Sequence, residues 1–302
     1  MSDFTGRIGG TLAVGLMWLL HFLPLRVLAA VGEAIGALAY GIARERRRIC
    51  MINLAKCFPE TSDLERRRLT KTHFRLFGRF VLEHALLWWA PSERFLRHVT
   101  MEGQEILRAL RGQPVIILAP HFLGLDMGGA RLAYEGPIAS MYQKQKNKVF
   151  DARIREGRMR FVRLFPESKL FSRQDGVLPV ARTIKQGVVF YYLPDMDFGS
   201  RDTIFVPFFG VPTATITGVA RLARLTGAKV IPCVTRMLPG GEGYRVKLYP
   251  AWDRFPTGDI EVDTRRVNAF IEERVREMPE QYYWLHKRFK TRPPGDASFY
   301  GP

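Results

Sequence analysis

Residues 115–128 read VIILAPHFLGLDMG, and this stretch decides the expected fold. A short apolar run ends at Ala119, and His121 and Asp126 follow it, with Gly124 between them. An unbroken apolar run of this length is typical of a strand buried on both faces of a sheet. Because open α/β sheets carry their chemistry just beyond the carboxyl ends of the strands, the stretch predicts a functional site at His121.

The spacing of His121 and Asp126 limits how the two side chains can meet. Each residue of a helix turns the chain by about 100°, so five positions on one helix point about 140° apart. The pair can meet only if His121 lies in the turn and Asp126 in the first helical turn, with Gly124 as the flexible joint. A histidine so placed can act as a general base, oriented by the carboxylate. The alternative is an ordinary carboxylate favoured by the helix dipole.

Strand and helix patterns alternate after residue 99. Alternation of this kind predicts an α/β fold with a mostly parallel central sheet flanked by helices. The predicted strands are 115–119, 138–142, 188–193, 230–236 and 244–249, and the predicted helices are 125–134, 177–185, 215–226 and 263–277. Gly240-Gly241 between the last two strands predicts a hairpin, hence one antiparallel edge. Residues 44–90 are expected to be helical, with Ser62 or Asp63 as a cap.

The N-terminal segment 11–43 contains only two charged residues, Arg26 and Glu33. It fits a kinked membrane-spanning helix or a helix lying in the membrane interface, and a signal peptide or a buried core helix would share its composition. The basic stretch 44–48 that follows places this end, and the rest of the chain, in the cytoplasm by the positive-inside rule. We therefore expect a membrane anchor over residues 1–43 and a cytoplasmic domain over 44–302.

The composition indicates an anionic partner. The 302 residues carry a net charge of +17, which suits nucleic acid, an anionic membrane surface or an acidic substrate. Three cysteines form no C-x-x-C pair, and the sequence shows no metal-ligand spacing, glycine-rich dinucleotide motif or P-loop. The sequence thus gives no support for a metal or a nucleotide cofactor.

Two further groups of residues are candidates for substrate contacts. The loop 193–201 follows a predicted strand and holds Asp195, Asp197 and Arg201, which suit a metal, a polar substrate, internal pairing or a simple Asx turn. A basic series follows another predicted strand, and arginine and lysine there suit phosphate recognition as well as a solvated helix face. This series includes Lys144, Lys146, Arg155 and Arg158.

Four motifs together resemble the late acyltransferases of lipid A biosynthesis, the lauroyl and myristoyl transferases within the lysophospholipid acyltransferase superfamily. They are His121-x-x-x-x-Asp126, the 195–199 loop DMDFG with Arg201, the segment 206–210 VPFFG, and the segment 279–293 PEQYYWLHKRFKTRP. The resemblance covers nearly the whole chain. It implies a glycerolipid acyltransferase-like fold behind a hydrophobic anchoring helix.

The resemblance also implies an activity. An enzyme of the bacterial inner membrane, with its catalytic domain facing the cytoplasm, would move an acyl chain from acyl carrier protein to a hydroxyl of a Kdo-bearing, phosphorylated lipid A precursor, without a cofactor or metal. His121 would be the base, Asp126 its orienting carboxylate and Arg158 the oxyanion donor, with backbone amides near Gly124 as the alternative donor. Substrate contacts are expected at Asp195, Asp197, Arg201, Lys144, Lys146 and Arg155.

Two other functions compete with this interpretation. A glycerolipid or lysophospholipid acyltransferase would use the same His/Asp chemistry on another acceptor. A non-catalytic protein that binds membranes or nucleic acid would explain the charge and the basic, aromatic segment 284–293. Charge alone does not explain two polar loops at strand ends, so we expect membrane lipids and no nucleic acid among the partners.

Overall fold

The structure is a computed structural model, and it describes residues 2–145, 147–200 and 202–301. Two of the predicted contact residues, Lys146 and Arg201, lie outside these ranges. All other candidate residues are described.

A seven-stranded sheet in the order β1-β9-β8-β2-β5-β3-β4 forms the centre of the fold, and β6 and β7 form a separate antiparallel pair. The strands in the described ranges are β1 (Val99–Glu102), β2 (Val115–Leu118), β3 (Ile138–Tyr142), β4 (Lys169–Ser172), β5 (Val189–Tyr192), β6 (Thr203–Phe208), β7 (Val211–Ile216), β8 (Lys229–Met237) and β9 (Tyr244–Leu248). Neighbours in the large sheet pair in parallel except β8 and β9. The predicted α/β class is confirmed.

Helices cover both faces of the sheet. They are α1 (Ser2–Leu20), α2 (Leu25–Ile42), α3 (Arg44–Cys57), α4 (Asp63–Trp89), α5 (Ser92–His98), α6 (Gln104–Ala109), α7 (Leu125–Leu132), α8 (Lys148–Val162), α9 (Val177–Lys185), α10 (Gly218–Thr226) and α11 (Ile260–Glu277). Alternate side chains of β2 enter different cores: Ile116 and Leu118 pack in one cluster, and Val115 and Ile117 pack in the other. This two-sided burial explains the unbroken apolar run of β2.

Local sequence signals account for several helix boundaries. Ser62 caps α4 in a capping box with Glu65, as the sequence predicted. The Asp259 side chain accepts hydrogen bonds from the amides of Glu261 and Val262, so α11 begins three residues before the predicted position. The predicted helix 215–226 begins late, at Gly218, because residues 211–216 pair with β6. The predicted hairpin at Gly240-Gly241 joins the antiparallel strands β8 and β9, but β1 lies outside β9 and pairs with it in parallel, so the antiparallel pair is not at the edge of the sheet.

The N-terminal helices pack on the rest of the protein. Helix α2 lies against α4 at glycines: a Cβ added to Gly36 would lie 2.1 Å from the Phe74 carbonyl oxygen, and one added to Gly78 would lie 2.1 Å from that of Gly32. By length and composition α2 could cross a membrane, and 28% of it is buried inside the protein. The domain boundary after residue 43 stays a prediction.

Candidate active site

His121 lies just beyond the carboxyl end of β2, and its ring is held by Asp195 from the loop after β5. Because β2 and β5 are parallel neighbours, their following loops meet at one rim of the sheet, as predicted. The His121 ring Nδ1 lies 2.7 Å from Asp195 Oδ1, and the His121 backbone amide donates to Oδ2 at 3.0 Å. Asp195 is 1% exposed. This carboxylate fixes both the main chain and the ring of His121.

The C-terminal segment holds the His121 loop from the other side. Phe122 forms an antiparallel bridge with Tyr282, and the Tyr283 amide donates to the His121 carbonyl at 2.9 Å. The Leu123 amide donates to the Gln281 carbonyl, also at 2.9 Å. Residues 281–283 of the motif 279–293 therefore hold the loop that carries the histidine through backbone hydrogen bonds.

Asp126 is paired differently from the sequence prediction. It lies in the first turn of α7, as expected, but its Oδ1 accepts a hydrogen bond from the Arg158 guanidinium at 2.9 Å and its Oδ2 lies 3.2 Å from His84 Nε2. The carboxylate that hydrogen-bonds the His121 ring is Asp195, so the predicted orienting pair of His121 and Asp126 is corrected to His121 and Asp195. The physical reason is the parallel pairing of β2 with β5, which brings Asp195 to Nδ1.

Sequence reasoning did not include His84 among the site residues. In the structure, its Nδ1 lies 2.6 Å from the Phe80 carbonyl oxygen and its Nε2 faces the Asp126 carboxylate. Both ring nitrogens thus face acceptors. The ion pair of Asp126 and Arg158, with His84 beside it, forms a charged cluster near the His121 loop. No local motif marks His84, because it lies 42 positions before Asp126.

The two carboxylates are held in their charged form. Burial alone would raise the pKa of Asp195, but the charge and hydrogen bonds of His121 lower it. Burial would likewise raise the pKa of Asp126, but Arg158 and then His84 hold it well below its ordinary value. Both side chains are therefore acceptors at neutral pH.

Asp197 has a structural environment. Its oxygens accept hydrogen bonds from the Gly199 amide at 3.0 Å, from the Thr291 hydroxyl at 2.7 Å and from the Thr291 amide at 2.6 Å. Its own amide donates to His286 Nε2 at 3.0 Å, and burial lowers the pKa of His286 to about 4, which suits a neutral acceptor ring. Internal pairing, one of the alternatives above, is thus what Asp197 makes. Within the described ranges, no group of three or more His, Cys, Asp or Glu side chains could hold a metal ion.

The described members of the basic series lie in different surroundings. Lys144 and Arg155 are exposed, and both act on the nearby Asp151 carboxylate, whose pKa is lowered first by the Tyr142 hydroxyl. Arg158 alone among the described candidates of this series reaches the site, where it also donates to the Met141 carbonyl at 3.4 Å. Phosphate contacts by Lys144 and Arg155 stay a prediction.

An apolar pocket opens beside the charged cluster. Asp126 and Arg158 lie in its wall, and the rest is mostly aliphatic and aromatic, including Leu87, Ala130, Ala133, Ile138, Phe161 and Leu193. Trp88, next to Leu87, packs so closely on α8 that a Cβ at Gly157 would lie 2.2 Å from its ring. Its volume of about 60 Å³ is too small to hold an acyl chain as it stands, so it marks only an apolar lining beside the cluster.

This α/β fold, with a partly exposed histidine held by a buried aspartate at the sheet rim, defines an acyltransferase-like site. Comparisons with known proteins give the family. The model of the bacterial lipid A biosynthesis acyltransferase family matches residues 2–291. The chain is therefore a member of that family and an acyltransferase.

Three curated relatives from Escherichia coli (strain K12) are similar over nearly their whole length. The lipid A biosynthesis lauroyltransferase is 34% identical over 96% of this chain and 94% of its own. The palmitoleoyltransferase is 31% identical (95% and 92%), and the myristoyltransferase is 31% identical (97% and 90%). A 1-acyl-sn-glycerophosphate acyltransferase, PlsC, from Thermotoga maritima aligns with a TM-score of 0.36 and 16% identity over 84% of this chain and 97% of its own, too little to bear on the function.

Proposed function

We propose that this protein transfers a fatty acyl chain from the thioester of acyl carrier protein to a hydroxyl of a Kdo-bearing lipid A precursor. The observation that carries the proposal is the 2.7 Å contact between His121 Nδ1 and the buried Asp195, which leaves Nε2 for the acceptor hydroxyl. Family membership supplies the reaction class, and the three relatives named above differ in the acyl group that their names give.

The base chemistry follows from the tautomer. With the Nδ1 proton donated to Asp195, the lone pair of neutral His121 is on Nε2. Nε2 takes the proton of the acceptor hydroxyl as its oxygen attacks the thioester carbonyl carbon. Asp195 stabilises the imidazolium that forms. The tetrahedral intermediate then expels the carrier thiolate, the His121 imidazolium gives its proton to that thiolate, and the ester is released.

The oxyanion of that intermediate needs a hydrogen-bond donor. The backbone amides on either side of Gly124 already donate, that of Leu123 to Gln281 and that of Leu125 to Phe122. A guanidinium carries five N–H donors. That of Arg158 donates one to the Asp126 carboxylate and one to the Met141 carbonyl. Arg158 therefore keeps N–H groups for the oxyanion and is our proposed donor, held by Asp126, with the backbone amide of Gly124 as the alternative.

The net charge and the N-terminal helix support the proposed acyl donor and the proposed membrane location. The net charge of +17 suits an acidic carrier protein and a phosphorylated acceptor. The apolar helix α2, followed by the basic stretch 44–48, suits anchoring in the bacterial inner membrane with the catalytic domain in the cytoplasm. We keep Arg201, Lys144, Lys146 and Arg155 as candidate acceptor contacts, whereas the oxygens of Asp195 and Asp197 bind partners within the protein.

A matrix of two donors and two acceptors tests the proposal. Membranes containing the protein are given acyl carrier protein or coenzyme A thioesters, with a Kdo-bearing tetraacylated lipid A precursor or a lysophospholipid. Transfer from the carrier thioester to the lipid A precursor is expected. Preferential transfer from acyl-coenzyme A to the lysophospholipid would instead identify a glycerolipid acyltransferase.

A further inference from the structure

A basic cleft lies where the N-terminal helices meet the catalytic domain, away from His121. Its volume is about 520 Å³, and its walls come from the α1–α2 turn, α5 and the β8–β9 turn. Arg26, Arg94, Arg97 and His98 line it together with one carboxylate, Glu242. Its charged side chains are therefore mainly cationic.

The topology of the sheet places this cleft on the same rim as His121. Strand β1 is parallel to β9, β9 is antiparallel to β8, and β8 is parallel to β2. The start of β1, where α5 ends, therefore lies on the side of the sheet where β2 ends. Three strand spacings of about 4.8 Å place β1 roughly 14 Å from β2. A ligand larger than one sugar ring could reach from the cleft to His121.

The walls of the cleft are fixed by specific contacts. Arg94 donates to the carbonyl oxygens of His21 at 2.6 Å and of Leu23, and so ties α5 to the α1–α2 turn. Helix α2 touches the β8–β9 turn so closely that a Cβ at Gly241 would lie 2.6 Å from Arg26 Cα. These contacts fix the relative positions of the cleft walls.

Arg94 ties the walls of the cleft together, and the other two arginines that line it are Arg26 and Arg97. Both are exposed, and among the described residues no carboxylate forms an ion pair with either of them. The pKa of His98 is lowered by burial and then by Arg94 and Arg97, so His98 offers a hydrogen bond more than a charge. Arginines at the edge of a concave surface suit the oxygens of a phosphate, which a guanidinium binds with two parallel hydrogen bonds.

The surroundings of the cleft point to a lipid. Phe22 lines the cleft and is 64% exposed, and the nearby side chains of Leu19 on α1 and Val27 on α2 are 60% and 45% exposed. Exposed apolar side chains next to arginines are typical of a surface at the boundary between acyl chains and headgroups. A ligand here would therefore carry both a phosphate and acyl chains.

We propose that the cleft between Arg26 and Arg97 binds the phosphate of an anionic lipid, and specifically a phosphate of the acceptor, which it would hold while another part of the headgroup reaches His121. The choice of the acceptor rests on the proposed function. The binding of a phosphate-bearing lipid does not, because it needs no transfer reaction. The shared chemistry also allows the phosphate of a membrane phospholipid, and the experiment separates the two sources.

Binding by the full-length protein in phosphatidylcholine nanodiscs tests this. The probes are a bisphosphorylated tetraacyl glucosamine disaccharide, the same lipid after dephosphorylation, and phosphatidylglycerol. Wild type is compared with the double variant Arg26→Gln/Arg97→Gln and with Arg67→Gln/Arg111→Gln, which removes the same charge from exposed positions outside the cleft. Thermal unfolding of both double variants is checked against wild type.

We expect Arg26→Gln/Arg97→Gln to bind the phosphorylated disaccharide about tenfold or more weakly than wild type does, because charged hydrogen bonds are lost. Its affinity for the dephosphorylated lipid should be unchanged. The control double variant should bind both like wild type. An equal loss on phosphatidylglycerol would support the phosphate site but assign it to a membrane phospholipid. Unchanged affinity for every probe, or an equal loss in the control variant, would overturn the proposal.

Discussion

The ring and the main chain of His121 are held by one carboxylate: Asp195 Oδ1 lies 2.7 Å from Nδ1, and Oδ2 lies 3.0 Å from the backbone nitrogen. The two residues are 74 positions apart and come together only because β2 and β5 are adjacent and parallel. The relationship fixes which ring nitrogen faces Asp195, and it leads to the first prediction.

Replacing Asp195 with Asn should lower kcat by on the order of 10² to 10⁴, since the amide no longer stabilises the imidazolium or selects the Nδ1–H tautomer. Steady-state transfer kinetics measure this, with thermal unfolding to confirm folding. Asp253→Asn, an exposed carboxylate, is the matched control and should keep its rate. A kcat within threefold of wild type for Asp195→Asn would show that this carboxylate does not support the base.

His84 is expected to act as a positioning residue for Asp126 and Arg158. His84→Phe keeps the ring packing against Trp88 but removes the contact with Asp126, so kcat/KM should fall about tenfold, the size of one charged hydrogen bond. His84→Gln keeps a donor and should recover most of the rate. Equal rates in the two variants would show that the donor is irrelevant and that His84 only packs.

The contact between α2 and α4 should be sensitive to a single side chain. Gly36→Val places a Cβ 2.1 Å from a backbone oxygen of α4, so we expect a loss of about 1–3 kcal/mol or more in the free energy of unfolding. Gly41→Val on the same helix meets nothing within 4 Å and serves as the control. Thermal unfolding in detergent measures both. Equal stability of the two variants would mean that α2 is not packed on α4 in solution.

Mild acid should destabilise the fold through His73. Burial lowers the pKa of this side chain to about 4, against an ordinary value of 6.5. As the pH falls below 6.5 the unfolded chain binds a proton that the folded protein does not, so stability decreases towards pH 4, by up to about 3 kcal/mol. The His73 Nδ1–H donates to the Glu280 carbonyl at 3.0 Å, and His73→Asn keeps a donor there. Urea unfolding at pH 7.0 and 4.5 should show a smaller pH effect in that variant; an unchanged effect would exclude His73 as the cause.

Local patterns predicted much of this fold. The sequence predicted β2, β3 and α9 with nearly the observed bounds. The reason is that their apolar runs and helical periodicity lie within short, continuous stretches of the chain. The pattern at 215–226 failed at its start, where Thr215 and Ile216 belong to β7 through pairing with β6. The sequence did not predict that hairpin, since pairing with a partner strand overrides local propensity.

The site was predicted in its location and not in its pairing. His121, Asp126 and Asp195 were expected on one rim, and the parallel sheet brings them there. Which carboxylate meets which nitrogen depends on contacts between distant segments, such as His84 on α4 with Asp126 on α7, and no spacing rule carries that information. Arg158 pairs with Asp126 in the structure, and its role in the reaction stays a prediction.

The most direct test of the central claim is acyl transfer by His121→Ala, measured beside wild type with the carrier-protein thioester and the Kdo-bearing lipid A precursor. Removing the ring removes the base and leaves Asp195 without its partner, so transfer should fall by a factor of 10² to 10⁴ or more, while the unfolding temperature stays close to that of wild type. Wild-type transfer rates in the folded His121→Ala protein would contradict the account.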